Sequence, residues 1–240
     1  MSKALIVNNL VKKYKEVEAL KGISFEVGEG EIFGLVGPNG AGKSTALKII
    51  ATILSPTSGE VNIFGYDIKK DAQKIREIIS YLPEEAGAYK NLTGIAYLKF
   101  MAEIFADDRE KQKEYLDFAI KITGLGVRLK DKIKTYSKGM TRKLLIARTV
   151  MSRPKLIILD EPTSGLDVIN AYEIRSIIRD LAKKGMSVLL SSHNMLEIEF
   201  LSQRIGIIHE GKIHEIGTPE ELKKEYQANN LEEVFIKLNS

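Results

Sequence analysis

The run Gly37-Pro38-Asn39-Gly40-Ala41-Gly42-Lys43-Ser44-Thr45 has the spacing Gly-x4-Gly-Lys-Ser. Such a run captures anions. Several backbone N–H groups must converge on phosphate oxygens, and glycine supplies the φ angles and the close approach this needs. A helix opening at Ser44 points its positive end, about half an elementary charge, at the same anion. Lys43 then neutralises charge on the β- and γ-phosphates, and the Ser44 hydroxyl is placed to ligate Mg²⁺. The motif is shared by kinases, GTPases and transport ATPases and does not choose among them. A second chemical pair closes an apolar run, Leu156-Ile157-Ile158-Leu159, followed by Asp160-Glu161. A buried strand of a parallel sheet delivers its last side chains to the ligand crevice. There Asp160 would hold the Mg²⁺ shell, and Glu161 would activate an attacking water.

These side chains need elements to position them, and strand and helix signals alternate along most of the chain. That alternation predicts an α/β domain with a mostly parallel sheet flanked by helices. Short strands are expected at Ala4–Leu10, Ile23–Val27 and Glu31–Val36, then a helix over Ser44–Ile53 after the Gly-rich turn. A turn at Pro56-Thr57-Ser58-Gly59 leads to strands at Glu60–Phe64 and Ile78–Leu82. From Thr93 to Leu125 the spacing turns helical: Ile95, Leu98, Phe100, Met101, Ile104 and Phe105 fit one amphipathic helix, and Tyr115, Phe118, Ala119 and Ile122 a second. A helix from Ser137 to about Met151 precedes the Leu156–Leu159 strand. Then follow a helix at Ile169–Lys184, a strand at Ser187–Ser191, a helix at Asn194–Phe200, a hairpin around Glu210-Gly211-Lys212 and two short tail helices. The expected organisation is a core of 1–85 with 136–218, whose N-terminal strands form an antiparallel subdomain. An all-helical subdomain is inserted at 86–135, and a helical tail covers 219–240.

Composition removes several function classes. The 240 residues carry 36 Lys and Arg against 32 Asp and Glu, a formal charge of +4. Those charges are interleaved, so the basic block expected of a nucleic-acid binder is missing and no nucleic-acid partner is expected. With no cysteine, disulfides, thiolate metal sites and cysteine nucleophiles are excluded. The apolar stretches fall far short of the roughly 18 residues a spanning helix needs.

With the phosphate loop and the acidic strand end in place, the remaining motifs resemble, in order, those of the nucleotide-binding domains of ABC transporters. Tyr14 is similar to the aromatic that stacks on adenine. Tyr81-Leu82-Pro83-Glu84 resembles the Q-loop, Tyr136-Ser137-Lys138-Gly139-Met140 the family signature, Ser164-Gly165-Leu166-Asp167 the D-loop, and Ser191-Ser192-His193 the switch histidine. The resemblance runs from about Val7 to Thr218. It implies an ATPase whose ATP and Mg²⁺ are held by residues 37–45, Asp160 and Glu84. Glu161 and His193 would serve catalysis, with Lys43 and Glu84 beside them. Ser137, Gly139 and Asp167 would reach the nucleotide of a second ATPase subunit, identical or different, in a head-to-tail dimer. It also implies an integral membrane permease as partner and a place at the inner face of the cell membrane.

Two departures stand out. The Q-loop glutamine is replaced by Glu84, which can ligate Mg²⁺ but, when ionised, cannot donate a hydrogen bond. In the signature, Lys138 and Met140 stand where glycine and glutamine are usual. Both variants resemble the ABC-2-type exporter ATPases. A soluble ABC-type ATPase acting on the ribosome or on DNA is the alternative from another class. The DNA-acting kind is disfavoured by the lack of sustained heptads between phosphate loop and signature, and the ribosome-acting kind, which carries two ATPase halves in one chain, by the single half expected here. A small-molecule kinase would leave Ser137, Asp167 and His193 without a purpose. His209 and His214, in or beside the hairpin, are expected to be structural or surface residues.

Overall fold

The computed structural model describes residues 2–238, so the expected boundaries at Met1 and Ser240 lie outside it. Ten strands and nine α-helices are formed among the described residues. An antiparallel sheet is made by β1 (Lys3–Tyr14), β2 (Val17–Gly28), β4 (Ser58–Ile63) and β5 (Tyr66–Asp67), in the order β2-β1-β4-β5. The second sheet holds β3 (Ile32–Val36), β6 (Ile79–Leu82), β7 (Leu156–Asp160), β8 (Ser187–Ser192), β9 (Arg204–His209) and β10 (Lys212–Gly217), in the order β10-β9-β3-β8-β7-β6. All of its pairings are parallel except that of β10 with β9. β3, β7 and β8 are buried along their whole length, as continuous apolar runs are when both faces of a parallel sheet are covered.

One side of this sheet packs on α1 (Lys43–Ile50) and, through the stacked pair Phe25 and Phe33, on the antiparallel sheet. The other side packs on α5 (Lys138–Val150), α6 (Val168–Lys183) and α7 (Met195–Leu201), and this core continues into α3 (Gly94–Phe105) and α4 (Arg109–Thr123). The helix starts are fixed locally. Thr93, Asp108, Ser137, Asp167 and Asn194 each accept a hydrogen bond from the backbone N–H three residues on, which satisfies an orphan donor of the first turn. The chain ends in α8 (Pro219–Glu225), opened by a Thr218–Glu221 capping box, and α9 (Leu231–Leu238).

Some elements differ from expectation. The first helix stops at Ile50 instead of Ile53. Thr52 turns to a φ of 61°, and the Ile53 N–H bonds back to the Lys48 carbonyl, closing the helix. A helix α2 (Ala72–Ile78) lies where none was expected. It buries only Ile75, so it carries little periodic signal. β1 and β2 run beyond their apolar alternation to a tight turn at Lys15-Glu16, held by backbone pairing out to Tyr14 opposite Val17.

For the site, the decisive feature is the order β3-β8-β7. Val36 lies opposite Ser192, and Asp160 opposite Ser191. The segments that follow, 37–45, 161–167 and His193–Asn194, therefore leave the same C-terminal edge side by side, with the Glu84 segment beyond them after β6. This is the edge at which open α/β sheets bind ligands.

Candidate functional site

The phosphate loop spans the gap from β3 to α1. Gly42, the N-cap of α1, has φ 104°, where only glycine is free of strain. A Cβ there would also run into the Ala19 carbonyl of β2. That approach lays the loop against the strand that pairs with β1, whose last residue is Tyr14. Tyr14 is 42% exposed, and the Lys12 ammonium stands over its ring, 5.0 Å from the centroid.

Lys43 and Glu161 are each 5% exposed. The Lys43 ammonium donates to the carbonyls of Gly37 at 2.7 Å and Pro38 at 3.1 Å, and lies 3.5 Å from Glu161 Oε1. The other carboxylate oxygen of Glu161 is 2.8 Å from His193 Nδ1. An ionised carboxylate only accepts, so Nδ1 carries the hydrogen and Nε2 is left for a further partner. Glu161 holds this place with a φ of 48°, a conformation that costs a non-glycine residue about 1–2 kcal/mol. Its N–H donates to both the carbonyl and the hydroxyl of Ser191, which holds the strained residue in position.

Asp160 is fully enclosed. Its Oδ1 accepts from Ser44 Oγ at 3.1 Å and Ser191 Oγ at 2.6 Å, and its Oδ2 from the Tyr81 hydroxyl at 3.3 Å. Burial, then the neighbouring Asp160 charge, pushes the Tyr81 hydroxyl well above the usual phenol range, so Tyr81 stays a donor. Neither Tyr81 nor Ser191 stands out as an Asp160 partner in the sequence, because both read as ordinary strand residues. Ser44 and Asp160 offer two oxygen atoms 3.1 Å apart beside the phosphate loop. Mg²⁺ prefers this donor set, taking one or two protein oxygens and its remaining ligands from phosphate and water. The residues present thus fit the ion.

Glu84 stands apart from that pair. Its carboxylate accepts from Ser164 Oγ at 3.2 Å, and its carbonyl from the Arg142 guanidinium at 3.0 Å. Arg142 is buried, which lowers its pKa, while the nearby Glu84 charge opposes the shift. Ser137 bonds within the first turn of α5: its hydroxyl accepts from the Met140 N–H, and its carbonyl from the N–H and hydroxyl of Thr141. Gly139 is required by a neighbour, since any Cβ would overlap the Asn170 side chain of α6. Asn170 in turn donates to both oxygens of Asp167, at 2.9 and 2.6 Å. The Lys138 ammonium lies against Gly165. The 137–140 and 164–170 segments thus interlock, while Lys43, Ser44, Asp160, Glu161 and His193 form one cluster. His209 packs against His214 and Phe235, away from that cluster.

The hydrogen bonds from Asn170 hold the Asp167 carboxyl below the usual carboxylate range. A lowered pKa means the folded state favours the charged form. This contribution to stability is complete above the unfolded value, near pH 4, and is lost as pH falls through the folded one. Asn caps a helix equally well but does not titrate. Asp167→Asn should therefore lose less melting temperature than the parent between pH 5 and pH 3 in a thermal melt series.

A family model described as ABC transporter matches residues 20–164. The linearmycin resistance ATP-binding protein LnrL of Bacillus subtilis (strain 168) is 39% identical over 91% of this chain and 70% of its own. The lantibiotic transport ATP-binding protein SrtF of Streptococcus pyogenes is 39% identical over 96% of this chain and 95% of its own. A dimeric structure of the ATP-binding cassette MJ0796, in a post-hydrolysis state bound to ADP and phosphate, superposes with a TM-score of 0.79 at 26% identity, covering 89% of this chain and 98% of that one. The chain belongs to the ABC transporter family, as an ATP-binding subunit that hydrolyses ATP.

Proposed function

We propose that this ATPase powers export through a membrane permease, and that two subunits close head to tail over ATP. The observation that carries its chemistry is the placement of Glu161. One of its oxygens faces Lys43 at 3.5 Å and the other His193 at 2.8 Å, at the edge where the phosphate loop begins. In this reading residues 37–45 wrap the phosphates and Lys43 turns from the Gly37 and Pro38 carbonyls to the β/γ-phosphates. Glu161 takes a proton from the attacking water. His193, oriented through Nδ1 by Glu161, turns Nε2 toward the γ-phosphate, to which it donates a hydrogen bond as the imidazolium. Ser44 and Asp160 would hold Mg²⁺, which supplies charge neutralisation across the β- and γ-phosphates. Steady-state phosphate release by the parent and by Glu161→Gln tests this placement.

Tyr14 takes the adenine ring on the face that Lys12 leaves open. Aromatic–base stacking contributes about 1–3 kcal/mol. Tyr14→Ala should then raise the KM for ATP about tenfold with kcat nearly unchanged, as read from initial rates. Glu84 is bonded to Ser164 and to Arg142, so its first duty is to tie its loop to the 161–167 turn. Glutamine can accept the same Ser164 hydrogen bond. Glu84→Gln should keep ATPase activity within a few-fold of the parent, and total loss would show that the charge itself is required.

The second half-site is the start of α5. Ser137 and the first-turn N–H groups of that helix form an anion cradle, and the Ser137 hydroxyl is bonded to the Met140 N–H of its own helix rather than to the phosphate loop. A second subunit, identical or different, supplies the phosphates it faces; the dimeric state of the similar MJ0796 cassette supports this reading. The chain divides into a core of 1–85 with 136–218, a helical lobe at 86–135 and a tail at 219–240. The Glu84–Thr93 segment and the lobe, with Tyr89 and Phe100 exposed edge to face, pass the closing motion to the permease. No helix of the described residues is long and apolar enough to cross a membrane, so spanning falls to that partner. The chain would sit at the inner face of the membrane. Export is supported by the resistance and lantibiotic-transport names of LnrL and SrtF.

A further inference from the structure

Behind the Glu161–His193 pair lies a second polar assembly that the reading above leaves without a purpose. Glu197 stands four residues after His193, in the first turn of α7, with its side chain only 9% exposed. One carboxylate oxygen accepts the Thr163 hydroxyl at 2.5 Å, and the other lies 3.3 Å from the Arg175 guanidinium of α6. Its own N–H is capped by Asn194 Oδ1 at 3.0 Å. Thr163 is buried as well, two residues beyond Glu161. Two segments that leave the sheet separately are therefore joined at one carboxylate: the 161–167 turn with the helix α6 that continues it, and the start of α7.

A carboxylate this enclosed is costly unless paired and hydrogen-bonded, and an apolar residue would pack the same volume at less expense. Its geometry points to a positioning duty. His193 lies on the short extended link between β8 and α7, so its place depends on where α7 begins. Glu161 lies at the strained first residue of the turn, so its side chain depends on where that turn is anchored. Glu197 grips both, the turn through Thr163 and the helix start through its capped backbone. We propose that Glu197, acting through Thr163, is a positioning residue that sets the 2.8 Å contact between Glu161 and His193 and so aligns both with the bound γ-phosphate. This rests on the reading of Glu161 as the base.

Thr163→Val removes the hydroxyl, keeps the shape, and leaves the Glu197–Arg175 pair in place. It should lower kcat about tenfold with KM for ATP close to parental, and lower the melting temperature by a few degrees, because one oxygen of the buried Glu197 carboxylate loses its donor while Arg175 stays paired. Thr163→Ser, which restores the donor, should bring kcat back to within about twofold. In a Glu161→Gln background Thr163→Val should cost nothing further, because the group it positions is already disabled. A general structural role would instead lower residual turnover equally in both backgrounds. Glu197→Ala should match Thr163→Val in kcat and add nothing to it in the double variant. If Glu197→Ala does not fold, the Val and Ser pair at Thr163 still decides. Parental kcat in Thr163→Val, or an equal further loss in the Glu161→Gln background, overturns the proposal. Undiminished turnover in Glu161→Gln alone would instead remove the base reading beneath it.

Discussion

Glu161→Gln should lose about a hundredfold or more in turnover while still binding Mg-ATP. A positioned general base contributes about 10²- to 10⁴-fold, and glutamine cannot take a proton from water. Binding should survive because the phosphate cradle is built from other groups: the 37–45 backbone, the end of α1, and Lys43 with its own carbonyl contacts. Affinity should if anything rise. The Glu161 carboxylate is a buried negative charge 3.5 Å from the Lys43 ammonium, and it both competes with and repels the incoming phosphates. With ATP bound and hydrolysis stalled, the closed pair of subunits should accumulate, and sizing chromatography with ATP should show a dimer peak absent from the parent at steady state. A monomer with parental turnover would remove Glu161 as the base.

The residues of this cluster were legible because their chemistry leaves a local mark. Gly42 must be glycine at φ 104°, and Asp160 and Glu161 must end an apolar strand, so both motifs stand out in one dimension. The parallel sheet was legible for the same reason: β3, β7 and β8 are buried on both faces and read as unbroken apolar runs. The tertiary partners of these residues were not legible. Ser191 and Tyr81 grip Asp160 from neighbouring strands, and a serine or a tyrosine in a strand carries no sign in the sequence of which side chain it will meet. Glu197 reads as one of two acids on a short helix, and only the fold brings it to Thr163. Gly139 looks like part of an anion-binding turn, yet its immediate constraint is the Asn170 side chain of another helix. α2 escaped notice because a helix that buries a single side chain leaves no period to detect.

The interlock of 137–140 with 164–170 gives the shared-site arrangement its sharpest test. Ser137→Asp should preserve the helix start, since aspartate caps as well as serine and would still accept the Met140 N–H. The new charge changes what that helix end can face. A carboxylate at the mouth of an anion cradle repels a phosphate there, at a cost that grows as closure excludes water. The variant should bind ATP like the parent, melt at a similar temperature, and hydrolyse at least about a hundredfold more slowly. Lys43→Ala should be equally inactive for the opposite reason, an impaired phosphate loop beside an intact signature. Mixing the two inactive subunits would then restore activity. Each mixed dimer pairs the Lys43 of one chain with the Ser137 of the other in a site that neither variant damages. Random pairing of equal amounts gives roughly a quarter of parental turnover if the two sites of a dimer act independently. Parental turnover by Ser137→Asp alone would show that each subunit completes its own site, and the head-to-tail dimer would have to be abandoned.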